Sequence, residues 1–431
     1  MKEKLISITI GGGAENVDPA YKTAVFREYM ENAFPGADIG NVTPISTAAS
    51  LNSACAYVDI ALQGGEMMST FAKIHIESDT DSAGALGAEK EYFLANLLGE
   101  YGWPVLTPLM SGNSEDYPVL MYPRVEEMTL FDLLEESYDK GENLITSADL
   151  ASLSRLNKQI GKTMIDSAKL VDSSLAVSSP VQTLFLERIK EGGRVDAWYQ
   201  PDTIFALVRK GDITWGKLLD ANWVINGEPY SITLDEVIKN ARRCLSFEGE
   251  SYALACISHG DDHSGNVFVD RKKDEAIVFD PAFAGWNPVG LSNIKALAHS
   301  CILPMGGMYY DPKIGKVSYS FDEAKNIIYA DIPFENSAPK NAQEELGKQI
   351  IDFRILPLIQ SCKDAGVSVD KEYERIRYAL SSCALLTTNI SRLLQQDDGR
   401  GQGLLPLVIM LAELKGLPTL SYLREKITQE L

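Results

Sequence analysis

One octapeptide constrains this chain more than any other segment: His259-Gly260-Asp261-Asp262-His263-Ser264-Gly265-Asn266, followed fourteen residues later by Asp280 at the end of an apolar run. Between the two, β-formers flank a charged turn, Asp270 to Asp274, which predicts a hairpin with strands at Val267 to Val269 and Ala276 to Phe279. The octapeptide therefore reads as a loop feeding a hairpin. Its side chains are those that in-line phosphoryl transfer needs, a reaction that takes little covalent chemistry and much positioning and charge neutralisation. Asp261 is the candidate base for a substrate hydroxyl. Asn266 offers a neutral oxygen and Asp280 an anionic one, the donors that a hard cation such as Mg²⁺ prefers. Asp-x4-Asn alone recurs by chance, whereas the joint pattern His-Gly-Asp-x-His-x-Gly-Asn does not. Two other readings stay open. His259 and His263 have a zinc-ligand spacing, although no third His or Cys lies nearby, and the segment also suits a solvated turn.

Composition excludes some partners. The 431 residues are 45% hydrophobic and 23% charged, an ordinary globular make-up with room for two or three domains or one bilobal unit. Acidic residues number 60 against 40 basic ones, a formal charge of −20, which disfavours nucleic acid or an anionic membrane surface as partner. That surplus keeps a surface soluble and, where it bears on a ligand, suits a cationic one. Six cysteines without a Cys-x-x-Cys pair fit reduced, buried thiols and a cytoplasmic location. Leu5 to Ile10 is too short for a signal-peptide core. Leu404 to Ala412, the most apolar piece, spans about half a membrane and holds Pro406.

No internal repeat or long linker divides the chain, so boundaries come from the order of elements. A helix is expected at Ala20 to Ala33. Strands follow at Val42 to Ser46, Ala56 to Gln63 and Met67 to Glu77, then a helix at Ser82 to Tyr101 closed by Gly102 and Pro104. Two more strands, Leu106 to Ser111 and Val119 to Tyr122, complete this β-rich part. Beyond it the pattern turns helical at Thr129 to Ser137, Ser147 to Leu170, Val181 to Glu191 and Thr233 to Leu245, and again from Asp322 to the C-terminus. The order describes an α+β fold. Residues 176–250 carry no motif, and Trp198, Trp215 and Trp223 within them read as packing residues.

Together with Phe279-Asp280-Pro281, the octapeptide resembles the catalytic segment of the aminoglycoside phosphotransferase and choline kinase superfamily, small-molecule kinases with a protein-kinase-like fold. The family signature runs His-Gly-Asp-x-His-x-x-Asn, and the resemblance covers residues 41–125 and 253–300. It implies a bilobal fold: a small N-terminal antiparallel sheet lobe with one helix, residues 1–122, and a larger, mainly helical C-terminal lobe, residues 123–431. It implies ATP- and Mg²⁺-dependent phosphorylation of a hydroxyl on an aminoglycoside, amino-alcohol or sugar-like acceptor. Asp261 matches the catalytic Asp, and Asn266 and Asp280 match the magnesium ligands. Lys73, on the third strand of the small lobe, matches the anchor of the α- and β-phosphates, with Glu91 as its helix partner and Glu89 as fallback. Ser50, Asn52 and Ser53 would donate to phosphates from a loop that here lacks glycine, and Met121 to Val125 resembles the hinge that holds adenine. Relatives usually carry a further Asp in the helix after Asp280, where this chain has Gly290-Leu291-Ser292-Asn293-Ile294-Lys295. A catalytically silent kinase-like nucleotide-binding or regulatory protein is a second reading. A protein kinase or nucleotidyl transferase is a third, disfavoured by the missing Ala-Pro-Glu after the metal Asp. The sequence leaves the oligomeric state open.

Overall fold

The computed structural model describes residues 2–8, 17–45, 53–75, 87–114, 117–206, 212–230, 232–302, 318–331, 338–387, 389–391, 407–409, 411, 414 and 418–430. Ser50 and Asn52 lie outside them. The chain is α+β and divides into two compact units. The first is Met1–Glu100 with Pro104–Glu127 and Ile277–Ala282; the second is Tyr101–Trp103 with Met128–Ala276 and Phe283–Leu431. The first unit thus takes Ile277–Ala282 from far down the chain, a segment that a single division near residue 122 assigns to the other side.

The first unit is built on a five-stranded sheet of β1 (Asp38–Ile45), β2 (Ser53–Ala61), β3 (Met68–His75), β4 (Met110–Ser114) and β5 (Tyr117–Pro123), in the order β1-β2-β3-β5-β4. All pairs are antiparallel. The register sets Ala72 opposite Met121 and Lys73 opposite Leu120, so adjacent residues of β3 serve opposite faces. On one face Ala54, Ala56, Val58, Ile60, Ala72, Ile74, Val119 and Met121 form a core with Leu5 and Ile8 and with Val25, Phe26, Tyr29 and Met30. These come from α1 (Lys2–Ser7) and the residue after it, and from α2 (Pro19–Ala33). Each large apolar side chain fully buried there contributes about 1.5–3 kcal/mol. The other face carries a smaller cluster of Phe71, Leu106, Leu120 and Tyr122, and α3 (Gly87–Glu100) packs there. The sequence pattern expects helices at Ala20 to Ala33 and Ser82 to Tyr101, and the unit holds both together with α1. The reason is physical: a sheet apolar on both faces needs a cover on both. α2 is opened by Asp18, whose carboxylate accepts from the Ala20 amide at 3.0 Å, with Pro19 in the first helical position.

In the second unit α4 (Leu130–Lys140), α5 (Ser147–Ser167) and the helix Leu234–Leu245 each open on a reciprocal capping box, Thr129 with Asp132, Thr146 with Asp149 and Thr233 with Glu236. α5 stops short of Leu170 because the chain enters β6 (Lys169–Asp172), where Leu170 pairs with Leu254. β6, the strand Tyr252–Ser258 and the strand Gly285–Pro288 form an antiparallel sheet with Tyr252–Ser258 in the centre. Ala253 to Ser258 are all buried, so this strand is a fixed rail that delivers the octapeptide at its end.

Two helical expectations are corrected. Asp322 opens no helix: Ser318–Asp322 and Ile327–Asp331 are strands of a four-stranded sheet with Asn222–Ile225 and Glu228–Tyr230. In Ile327–Asp331 burial alternates at Ile328 and Ala330, the period-2 pattern of a strand. The turn between the two strands places Asn326 at φ 51°. Val181 to Glu191 is not one helix but a 3-10 turn, Pro180–Leu184, followed by the short helix Leu186–Ile189. Trp223 and Trp215 are buried, the latter stacked on Tyr199 with ring centroids 4.7 Å apart. All six cysteines carry free thiols. Among the described residues no helix is long and apolar enough to cross a membrane.

Candidate active site

In the first unit, β3 aims Lys73 at the face where α3 lies. Its Nζ is 3.0 Å from Glu91 Oε2 and 2.6 Å from Asp280 Oδ1. Glu91 is only 2% exposed, and its other oxygen accepts from the Tyr122 hydroxyl. Exposure rises along the chain of charges, from Glu91 through Lys73 at 14% to Asp280 at 35%. Burial alone lowers the Lys73 pKa, but the Asp280 and Glu91 carboxylates outweigh it and hold the pKa well above the usual lysine value. The ammonium therefore stays charged. Burial, then the negative charge of Glu91, push the Tyr122 phenol well above its ordinary pKa, so it remains a donor. Asp280 itself has φ 60°, in the left-handed region that Asp and Asn tolerate better than other residues with a Cβ. Its carbonyl accepts from the Ala282 amide at 3.0 Å, closing a tight turn.

Glu91→Gln keeps the shape and lets Tyr122 still donate, but it removes a charged partner of Lys73. The loss expected is that of one hydrogen bond to a charged group, about 1.5–3 kcal/mol, read as a lower melting temperature in thermal unfolding. An unchanged melting temperature would show that the pair contributes nothing to stability.

The remaining residues of the first unit fall as follows. Met121 is fully buried on the α2 face, away from Lys73, and its carbonyl accepts from the Leu109 amide at 2.7 Å. Val125 lies just past β5, half-buried. Ser53 is the first residue of β2, opposite His75 and half-buried. Sequence reasoning missed Tyr122, although the alternation along β5 carries the signal: if Met121 faces α2, Tyr122 faces Lys73.

In the second unit the octapeptide is a set of backbone clamps. Gly260 has φ 81°, and a Cβ there would sit 2.7 Å from the Phe283 carbonyl oxygen, so only glycine fits. His259 is fully buried beside Trp103, ring centroids 6.3 Å apart, and its Nδ1 accepts from the Asp261 amide at 3.3 Å. His263 Nδ1 accepts from the Gly265 amide at 3.0 Å and opens the 3-10 turn Ser264–Asn266. Asn266 Nδ2 donates to the Asp261 carbonyl at 2.8 Å, which leaves its Oδ1 for another partner. Both backbone groups of Asp261 are thus committed, while among the described residues no side chain donates to its carboxylate. Asp262 turns the other way and forms a buried ion pair with Arg354, in the π-helical segment Ile351–Ile355. Sequence reasoning missed this pair; its one visible sign is a second Asp where the chemistry needs none. For the zinc reading, no group of three or more His, Cys, Asp or Glu is placed to hold a metal among the described residues.

No protein-family model matches the sequence, nor does any curated protein. Among solved structures the chain is similar to small-molecule kinases. A type I macrolide 2'-phosphotransferase shares 13% identity over 92% of this chain and 98% of that one, at a TM-score of 0.39. An ethanolamine kinase from Plasmodium vivax shares 10% over 90% and 84%, at 0.40. An aminoglycoside phosphotransferase from Streptomyces rimosus, solved with ADP and streptomycin, shares 13% over 85% and 99%, at 0.35. The functional reading rests on the side chains of this chain.

Proposed function

We propose that this chain is a phosphotransferase that uses ATP and Mg²⁺ to phosphorylate a hydroxyl group of a small molecule. The observation that carries the reading is the buried Lys73, Glu91 and Tyr122 group with Asp280 at its exposed end. Holding an ammonium and a carboxylate out of water costs several kcal/mol per ion, and such an arrangement suits a ligand that brings phosphate oxygens to the ammonium. Lys73 anchors the α- and β-phosphates, and Glu91 and Tyr122 hold it in place. Asp280 and Asn266 Oδ1 each offer the kind of oxygen that a hard cation takes. Magnesium, when bound, neutralises charge on the phosphate oxygens. Asp261 accepts or orients the proton of the acceptor hydroxyl, its backbone fixed by His259 and Asn266 so that the carboxylate stays available. Adenine packs beside Val125 rather than the Met121 side chain, and Ser50, Asn52 and Ser53 supply donors to the phosphates. Use of ATP suits a cytoplasmic enzyme.

Thermal unfolding tests the nucleotide. At ATP·Mg²⁺ a hundredfold above its Kd the chain gains about 2.7 kcal/mol of stability; a melting temperature indifferent to millimolar ATP·Mg²⁺ removes the reading. Release of ADP with a panel of small hydroxyl compounds then tests transfer.

A further inference from the structure

The charge beside Asp261 runs against the charge of the whole chain. Lys295, in the short helix Ile294–Leu297, is 4% exposed. Its Nζ lies 3.2 Å from His299 Nε2 and 2.9 Å from Thr387 Oγ1, both neutral partners. Among the described residues no carboxylate pairs with it. Burial first, then the positive charges of Lys295, His263 and Arg188, hold the His299 pKa well below the usual value, so this imidazole is neutral and accepts from the ammonium.

The group adjoins the octapeptide. The His299 ring is 5.8 Å from that of His263, and Ser300, next to His299, accepts through Oγ from the Ser264 amide at 2.8 Å. Cys383, whose Sγ is 3.4 Å from His299 Nε2, is fully buried beside it. Arg188, half-buried, donates to the Leu386 carbonyl at 3.1 Å, in the last turn of the helix that also carries Cys383 and Thr387. Lys295 and Arg188 thus reach adjacent residues of that helix, Thr387 and Leu386, and His299 joins Lys295 to the octapeptide that carries Asp261. A buried ammonium served only by neutral partners is costly, and an anion brought to it offsets that cost. Net charge of the whole chain governs solubility and long-range steering, whereas a ligand at Asp261 meets these local groups.

We infer that Lys295 and Arg188 form an anion site beside Asp261, and that the phosphoryl acceptor is a small hydroxylated molecule bearing a carboxylate or a phosphate monoester. The site is independent of the nucleotide, while naming its ligand an acceptor rests on the kinase reading. An acidic acceptor replaces the cationic one that net charge alone suggests.

The test is binding of D-glycerate and glycerol 3-phosphate to the full chain by isothermal titration calorimetry, with glycerol and ethanolamine as matched controls. At least one anion binds about tenfold or more tightly than either control, and Lys295→Gln and Arg188→Gln each remove that preference while ATP·Mg²⁺ binding is retained. Glycerate alone points to a carboxylate site, glycerol 3-phosphate alone to a phosphate site. Equal or absent binding of the anions, tighter binding of ethanolamine, or variants that keep the preference overturn the inference. Arg188→Gln keeps the test decisive if Lys295→Gln does not fold. Failure of ATP·Mg²⁺ to bind the unaltered chain removes the kinase reading and is read separately from the anion titration.

Discussion

Asp261→Asn is expected to lower turnover by about 10²- to 10⁴-fold, the worth of a positioned general base, while ATP·Mg²⁺ still binds. The substitution is clean because the side chain does no structural work among the described residues. The Asp261 amide donates to His259 and its carbonyl accepts from Asn266, and both bonds survive a change from carboxylate to amide. The loop therefore keeps its path, and what disappears is a basic oxygen facing the acceptor hydroxyl. ADP release in the presence of a competent acceptor reads the effect, with an ATP titration on the same sample as control. Undiminished turnover would remove Asp261 from the role proposed for it. Loss of ATP binding together with turnover would instead mean that the loop had collapsed.

Much of the site was legible because its parts are local. The octapeptide is contiguous, and its glycines, histidines and Asn266 form clamps that span two to five residues. Lys73 and Glu91 were legible through the family resemblance, which implies a lysine on the third strand and a helix carboxylate as its partner; the strand and helix pattern supplied the elements that carry them. Three-dimensional closure was not legible. Ile277–Ala282 belongs with residues from the start of the chain, and Arg354 reaches Asp262 across 92 residues; no periodicity records either. The strand Ile327–Asp331 was missed because it lies parallel to Asn222–Ile225, more than a hundred residues away, inside a stretch whose flanks are helical. Lys295 stood in plain view as a departure from the expected Asp, yet only its burial beside His299 and Thr387 gives it chemical meaning.

Arg354→Met is expected to destabilise the chain by about 3–5 kcal/mol, because it strands a buried carboxylate. Asp262 and Arg354 side chains are 1% and 3% exposed, and among the described residues Asp262 Oδ1 and Arg354 Nε have no partner, so one contact holds the pair there. A pair so thinly satisfied is poor evidence of net stabilisation, since apolar replacements of buried ion pairs are often neutral or better. Asp262→Leu with Arg354→Met is therefore expected to recover most of the stability lost in the single variant, and the double-mutant cycle measures the coupling. Turnover separates packing from positioning. Asp262 is the neighbour of Asp261, and its tie to Ile351–Ile355 anchors the loop from the side opposite the reacting groups. If that tie positions Asp261, the recovered double variant still shows a depressed kcat with ATP affinity unchanged, since its misplaced carboxylate no longer meets the hydroxyl in line. A double variant with both stability and kcat restored would reduce the pair to a packing feature and leave the His259 and Asn266 bonds as the device that holds Asp261.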